Sequence, residues 1–252
     1  MVTWLVEKHE KRDKLSTLLC DLLEENKIPY HIIKDYSSKL VTIDGKIINL
    51  EDKLFYFGIG SHSFINYLQR RKPDSVFRID HYNFKNIMSI FGKDNFINSD
   101  AKIIDRKRIN WNNHKEVFIR PVRDNKKFPG GLYNKNNFNY DVEEVVIAEP
   151  KKINNEFRFF IIDSKIVSYS QYKSDEEQQI NLLPDARAIK FVEKMIERFP
   201  EKIFVIDIGL INGDYKIIEL NCLNSAEFYN INIANFVQSI EKHYNQNISH
   251  LY

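Results

Sequence analysis

Ile203-Phe204-Val205-Ile206-Asp207-Ile208-Gly209, a turn at Asn212-Gly213-Asp214, then Tyr215-Lys216-Ile217-Ile218-Glu219-Leu220-Asn221 form the stretch on which the reading of this chain turns. Two apolar strands flank a turn signal. Each carries acidic or amide oxygens among residues that otherwise belong in a core. A buried carboxylate costs several kcal/mol unless it is paired or bound to metal. Asp207, Glu219 and Asn221 converging on one hairpin point to a hard cation, magnesium. Solvated acids on an ordinary hairpin are the competing reading.

The register decides between them. Glu219 and Asn221 share a strand face, about 6.8 Å apart. With a three-residue loop, Asn212 to Asp214, Ile211 pairs with Tyr215 and Asp207 lies opposite Glu219. A two-residue turn pairs Asp207 with Ile218 and sends the carboxylates to opposite faces. Three-residue loops containing glycine are common, which favours the first register.

Working outward, 252 residues suffice for a sizeable core in one or two domains. A net charge of +2 gives no specific nucleic-acid signal, and Lys102–Arg108 reads as a solvated face. Two cysteines, Cys20 and Cys222, exclude zinc spacing and a disulfide framework and fit a reduced, cytoplasmic setting. No apolar run approaches a membrane span.

The chain before the hairpin begins as an α/β unit: a strand at Val2–Val6, a helix over Lys11–Asn26, strands at Tyr30–Ile33 and Leu54–Phe57, and a helix over Ser63–Arg71. The helix carries Leu15, Leu18, Leu19, Leu22 and Leu23 on one face. Phe84–Phe91 reads as a helix, and Asn98-Ser99-Asp100 as a cap for another. Strands follow at Glu116–Arg120 and Glu144–Ala148, separated by a polar, glycine-containing loop over Asn125–Asn139. Glu156–Ile162 and Lys165–Gln171 form a hairpin across Asp163-Ser164, and Pro184–Phe199 a helix. The tail from Glu227 reads as helical.

Known nucleotide motifs are mostly absent. There is no phosphate loop and no full dinucleotide fingerprint. Asp207-Ile208-Gly209 mimics a kinase Asp-x-Gly, but the Pro184–Phe199 helix fills the place of the catalytic loop. What remains is an ordered set: Phe118-Ile119-Arg120-Pro121, a loop with Lys126-Lys127 and Pro129-Gly130-Gly131, Ala148-Glu149-Pro150, Glu156-Phe157-Arg158, then Asp207, Glu219 and Asn221. This order resembles the ATP-grasp superfamily of carboxylate-amine ligases, over about Val117 to Tyr229. Arg120 stands where most of that superfamily has lysine, and the chain is similar to the clade with arginine there.

The resemblance implies an α+β ATP-grasp fold, two subdomains clamping ATP behind a small α/β domain. The divisions expected are 1–75, 76–147 and 148–252. It implies ATP and two magnesium ions as cofactors, with Asp207, Glu219 and Asn221 as metal ligands. Arg120 and Lys127, or Lys126 in its place, would meet the phosphates. Glu149 and Pro150 would sit at the adenine hinge, Glu156 at the ribose, and Arg158 at phosphate or acyl-phosphate. Without metal, Asp207 and Glu219 would repel, and one pKa should rise. Asn224 and Ser225 are expected at the substrate. Gly58-Ile59-Gly60-Ser61 is either a tight turn or a helix N-terminus that holds a substrate carboxylate.

The activity implied is ATP-dependent amide formation through an acyl-phosphate, on carboxylate- and amine-bearing partners such as an amino acid, peptide or protein, with no membrane partner. The resembled clade contains peptide ligases, some in phages and bacteria. A non-catalytic ATP-binding interaction module and a kinase-like phosphotransferase remain as alternatives.

Overall fold

The computed structural model describes residues 2–8, 13–78, 82–112, 115–122, 128–174 and 183–248. Three sheets follow one another along the chain. The first holds β1 (Thr3–Glu7), β2 (Tyr30–Asp35), β3 (Leu40–Thr42), β4 (Ile47–Ile48) and β5 (Tyr56–Ile59), with α1 (Asp13–Glu25) and α2 (His62–Arg71). Its order is β4-β3-β2-β1-β5, with β1 parallel to both β2 and β5. Leu19 and Leu23 of α1 are buried, whereas Leu18, expected on the same face, is 56% exposed.

After α3 (Phe84–Phe91), the second sheet contains β6 (Lys102–Asp105), β7 (Val117–Pro121), β8 (Gly131–Tyr133) and β9 (Glu144–Ala148), in the order β6-β9-β7-β8. Two expectations fail here. No helix follows Asn98-Ser99-Asp100; turns lead into β6 instead. The segment read as a loop carries β8, which pairs with β7 through Ile119 and Gly131.

The third sheet is β10 (Asn155–Ile162), β11 (Lys165–Ser174), β12 (Phe204–Ile211) and β13 (Asp214–Asn221), ordered β11-β10-β12-β13. Helices α4 (Ala186–Ile196) and α5 (Ile233–Ile248) complete it. Strand alternation divides β10 cleanly. Phe157, Phe159 and Ile161 join Val192 and Met195 of α4 in one core. Phe160 and Ile162 join Trp4 and Phe57 of the first sheet, and Phe236 and Ile240 of α5, in another. The last helix thus seals the last sheet against the first. Glu156 and Arg158 continue the second face of β10 beyond its apolar part.

The decisive hairpin reaches the expected register by another route. Ile211 pairs with Asp214, so the turn is the two residues Asn212-Gly213, with φ of 51° and 88°. Positive φ at both centres marks the twisted hairpin turn that Asn-Gly favours. Uninterrupted, that turn would set Asp207 opposite Ile218. A bulge intervenes: Ile208 pairs with Ile217 and Asp207 with Glu219, leaving Ile218 as the extra residue. Ile217 and Leu220 enter the α4 core, while Ile218 and Glu219 both face a cleft on the opposite side.

Candidate active site

That cleft, about 560 Å³, opens between the second and third sheets. Arg120 and Pro121 at the end of β7, with Pro129-Gly130-Gly131, form one wall. Glu156, Tyr172, Lys173 and Glu219 form the other, and Lys151 borders the same space. Gly130 packs tightly on the arginine; a Cβ there would lie 3.3 Å from the Arg120 Cβ. The Arg120 guanidinium carbon stands 5.7 Å from the centre of the Phe84 ring. Lys126 and Lys127 lie outside the described residues.

Beneath Glu219 the polar groups interlock. Asn221 Nδ2 donates to Glu219 Oε1 at 3.0 Å and to Asp207 Oδ2 at 3.2 Å. Arg158 donates to Asp207 through Nε at 2.8 Å and Nη2 at 2.7 Å, and through Nη1 to the Glu227 carbonyl at 3.2 Å. Two tyrosines flank this arginine. Its guanidinium carbon lies 5.4 Å from the Tyr172 ring and 5.2 Å from the Tyr229 ring, and the two rings stack on each other at 5.1 Å. Tyr229 holds φ at 48°, a costly conformation for a bulky residue.

Burial pushes the Asp207 carboxyl up to about 6, against the pull of Arg158, and Glu219 and Glu156 add to the rise. The rise expected from carboxylate repulsion is therefore present, but burial is its main cause. Burial also works against the charge of Arg158; Asp207 more than offsets it and holds the guanidinium protonated. The pair is charged at neutral pH.

Among the described residues, no three or more His, Cys, Asp or Glu side chains gather as a metal site. The set read from the sequence is two carboxylates and an amide, and its chemistry fits magnesium. Each carboxylate oxygen has two acceptor lone pairs, so Asp207 can accept from Arg158 and still ligate a cation. Asn221 would offer its oxygen after turning its amide over. Hard oxygen donors of this kind suit the ion.

Glu149 and Pro150 are exposed between β9 and β10. The Glu149 amide donates to Asp100 Oδ2 at 2.8 Å, and Lys151 Nζ bonds both Asp100 and, at 3.1 Å, the Glu149 carbonyl. Asp100, read as a helix cap, instead fastens this connection. Glu156 is buried and pairs with Lys173.

Asn224 and Ser225 sit apart from the cleft, against the first sheet. Asn224 is fully buried; its Nδ2 donates to the carbonyls of Gly58 and Ser75, and its Oδ1 accepts from the Phe77 amide at 2.7 Å. Its amide is spent on joining three segments of the chain. Ser225 Oγ lies 3.5 Å from His62 Nε2. At Gly58–Ser61 the tight-turn reading prevails. Ser61 caps α2, and Glu7 accepts from the Ser61 amide and, at 2.9 Å, from its hydroxyl, so the chain's own carboxylate takes that position.

Three features of the cleft had little sequence signal: Lys151, Lys173 and the Tyr172–Tyr229 stack. Gly209 had one, since a glycine inside a strand marks a close approach. A Cβ there would come within 2.6 Å of Ile153 and 2.8 Å of Ile97, both of which line the cleft.

A family model matches residues 91–239, more than half of the chain. It describes an ATP-grasp domain, family 2 of the clade with arginine in place of the usual lysine. The chain belongs to that family. Solved ATP-grasp structures share the fold of this ATP-grasp protein. It resembles an ATP-grasp protein with a RimK domain from Sphaerobacter thermophilus at 9% identity, covering 88% of this chain and 91% of that one, TM-score 0.57. The ATP-grasp ligase PsnB complexed with a minimal precursor gives 12% identity, 90% and 92% coverage and a TM-score of 0.53. D-alanine–D-alanine ligase from Bacillus anthracis complexed with ATP gives 14%, 88% and 86%, and 0.51. No curated protein matches by sequence. Among the described residues, no helix of this ATP-grasp protein is long and apolar enough to cross a membrane.

Proposed function

We propose that this protein joins a carboxylate to an amine at the cost of ATP, through an acyl-phosphate, with release of ADP and phosphate. The class, an ATP-grasp ligase forming C–N bonds, follows from the family. The route and the residue roles are the proposal. The observation that carries it is the hydrogen-bonded set Asp207, Asn221 and Glu219, aligned by the Ile218 bulge, whose outer member Glu219 borders a cleft with Arg120 on its far wall.

In this reading the triphosphate lies between Arg120 and Glu219. The arginine offers a planar fork that stays charged and grips two oxygens. Ile97, Ile153 and Ile218 supply an apolar floor for the base, and Glu149 and Pro150 its hinge. Glu156 receives the ribose. Asp207, Glu219 and Asn221 would hold magnesium, which when bound offsets triphosphate charge. Arg158, fixed on several sides, presents a positioned cation for charge developing on the acyl-phosphate. Lys126 or Lys127 and the Pro129-Gly130-Gly131 segment would cover the phosphates and exclude water. The chain supplies positioning and charge, and no side chain acts as a nucleophile. We assign Asn224 to structure rather than to substrate. Amino acids and peptides, the partners the resemblance implies, are the first acceptors to try.

The test is an ADP-release screen with magnesium against pooled amino acids and peptides, with mass spectrometry of the products. Ligation gives ADP, phosphate and a new amide. A phosphorylated acceptor would make the protein a kinase-like phosphotransferase. ATP binding without acceptor-dependent turnover would make it a binding module.

A further inference from the structure

We propose that Lys173 is a mobile cation that sits on Glu156 while the cleft is empty and moves to the nucleotide phosphates when ribose hydroxyls replace it. The proposal rests on the cleft being the nucleotide site, and adds to that reading a residue that couples ribose recognition to phosphate binding.

Glu156 and Lys173 are register partners across β10 and β11, beside a bulge in that ladder. Lys173 Nζ lies 2.9 Å from Glu156 Oε1. The two ends of this pair differ in freedom. The carboxylate is 9% exposed, while the lysine side chain is 62% exposed. Tyr172 is held by its stack on Tyr229 and by Arg158. Of these two neighbours on β11, the tyrosine is fixed and the lysine is on a long, solvated stem.

A carboxylate this buried needs a donor, because an unpaired one carries its full desolvation cost. Lys173 meets that need without nucleotide. Ribose hydroxyls arriving at Glu156 take over the role, which frees an ammonium within the same cleft as Arg120. Lysine suits this exchange: its charge is a compact point on a flexible chain. The phosphates of the same nucleotide then provide its next partner.

The consequence is a pair of affinity changes with opposite signs. Adenosine must displace Lys173 and offers it nothing in return. ADP displaces it and supplies phosphate as a new partner. Lys173→Met should therefore bind adenosine at least threefold more tightly than wild type, and ADP with magnesium at least threefold more weakly. Lys173→Arg restores the charge and should return ADP affinity toward wild type. Titration calorimetry without acceptor reads both ligands directly, and thermal melting confirms that each variant is folded. Both affinities moving in one direction, or adenosine affinity unchanged, would overturn the exchange. Wild-type protein that binds neither ligand would overturn the nucleotide reading beneath it. Wild-type binding of ADP with an indifferent Lys173→Met variant would overturn this inference alone.

Discussion

Arg158 grips Asp207 with both arms of its guanidinium, Nε to Oδ1 at 2.8 Å and Nη2 to Oδ2 at 2.7 Å, in a site where Asp207 is 1% exposed. The two residues stand directly opposite on β10 and β12. Glu219 stands opposite Asp207 on the other side, in β13. One carboxylate thus joins a fixed cation to the proposed metal set. It pairs with the arginine in the core and, in the proposed site, would also face magnesium.

Breaking a buried pair from one side costs about 3–5 kcal/mol, because the surviving charge is left without a partner. Arg158→Met should therefore lose about 3 kcal/mol in urea unfolding. Adding Asp207→Asn removes the stranded carboxylate and should recover at least about half of that loss, the signature of direct coupling. Additive losses in the double variant would show that the two side chains act independently.

Glu219 offers the cleaner functional variant. It borders the cleft and is only partly buried, so Glu219→Gln keeps the shape and hydrogen bonding of the site. It is expected to melt within a few degrees of wild type and to lose ADP release by at least about a hundredfold, roughly 2.7 kcal/mol of transition-state stabilisation. Turnover near that of wild type would remove Glu219 from the metal set. Asp207→Asn should lose both stability and turnover, since Arg158 depends on it.

The raised pKa of Asp207 gives a proton signature. In the unfolded chain an aspartate titrates near about 3.9, while burial lifts Asp207 to about 6. The folded protein therefore holds the proton more readily between those values. This group's contribution to stability is full below the unfolded value and is lost as pH rises through about 6. A divalent ion favours the carboxylate and expels that proton. Binding of ADP with magnesium near pH 6 should release protons, seen as a dependence of binding heat on buffer ionisation enthalpy. Asp207→Asn should lack that component.

The hairpin shows which parts of this site were legible. Asp207 and Glu219 stood out because acids rarely sit inside apolar strands, and their alignment was expected. The means was not: Asn212-Gly213 makes a two-residue turn, and the Ile218 bulge restores the pairing. A bulge leaves no fixed trace in composition, since its extra residue is an ordinary isoleucine. Strand β6 escaped because Lys102, Ile103 and Asp105 are exposed and follow no alternation. Gly131–Tyr133 reads as loop because Pro129-Gly130-Gly131 leads into it, although the ladder to β7 decides. Lys173 and Tyr172 reach the site through pairing with β10, a contact that spacing along the chain does not encode. The partners of Asn224 were hidden for a related reason: Phe77, Ser75 and Gly58 lie 147, 149 and 166 residues away in sequence.

Gly209 faces the cleft from beneath. A methyl group there must push aside Ile153 and Ile97, whose nearest carbons would lie 2.6 and 2.8 Å away, and Ile218 at 3.2 Å. These are side-chain ends rather than backbone, so they have somewhere to go, and that place is the cleft. Gly209→Ala should fold, with a loss of about 1–3 kcal/mol from overpacking. Its affinity for ADP with magnesium should fall about tenfold or more, measured by calorimetry. Unchanged affinity would mean that this apolar floor does not touch the nucleotide.

Asn224 separates structure from substrate binding. Its side chain ties the carbonyls of Gly58 and Ser75 and the amide of Phe77, three backbone groups from the edge of the first sheet and the segment after α2. Asn224→Ala leaves these groups without that partner, at about 1–3 kcal/mol for each one that stays dry. The variant should therefore lose at least about 2 kcal/mol in urea unfolding. Asn224→Asp should fare worse, because a carboxylate would face two carbonyl oxygens in place of an amide nitrogen. At temperatures where Asn224→Ala is folded, the apparent KM for the acceptor should stay within about twofold of wild type. A large rise in that KM with stability intact would return Asn224 to the substrate site and remove it from the joint between the first and third sheets.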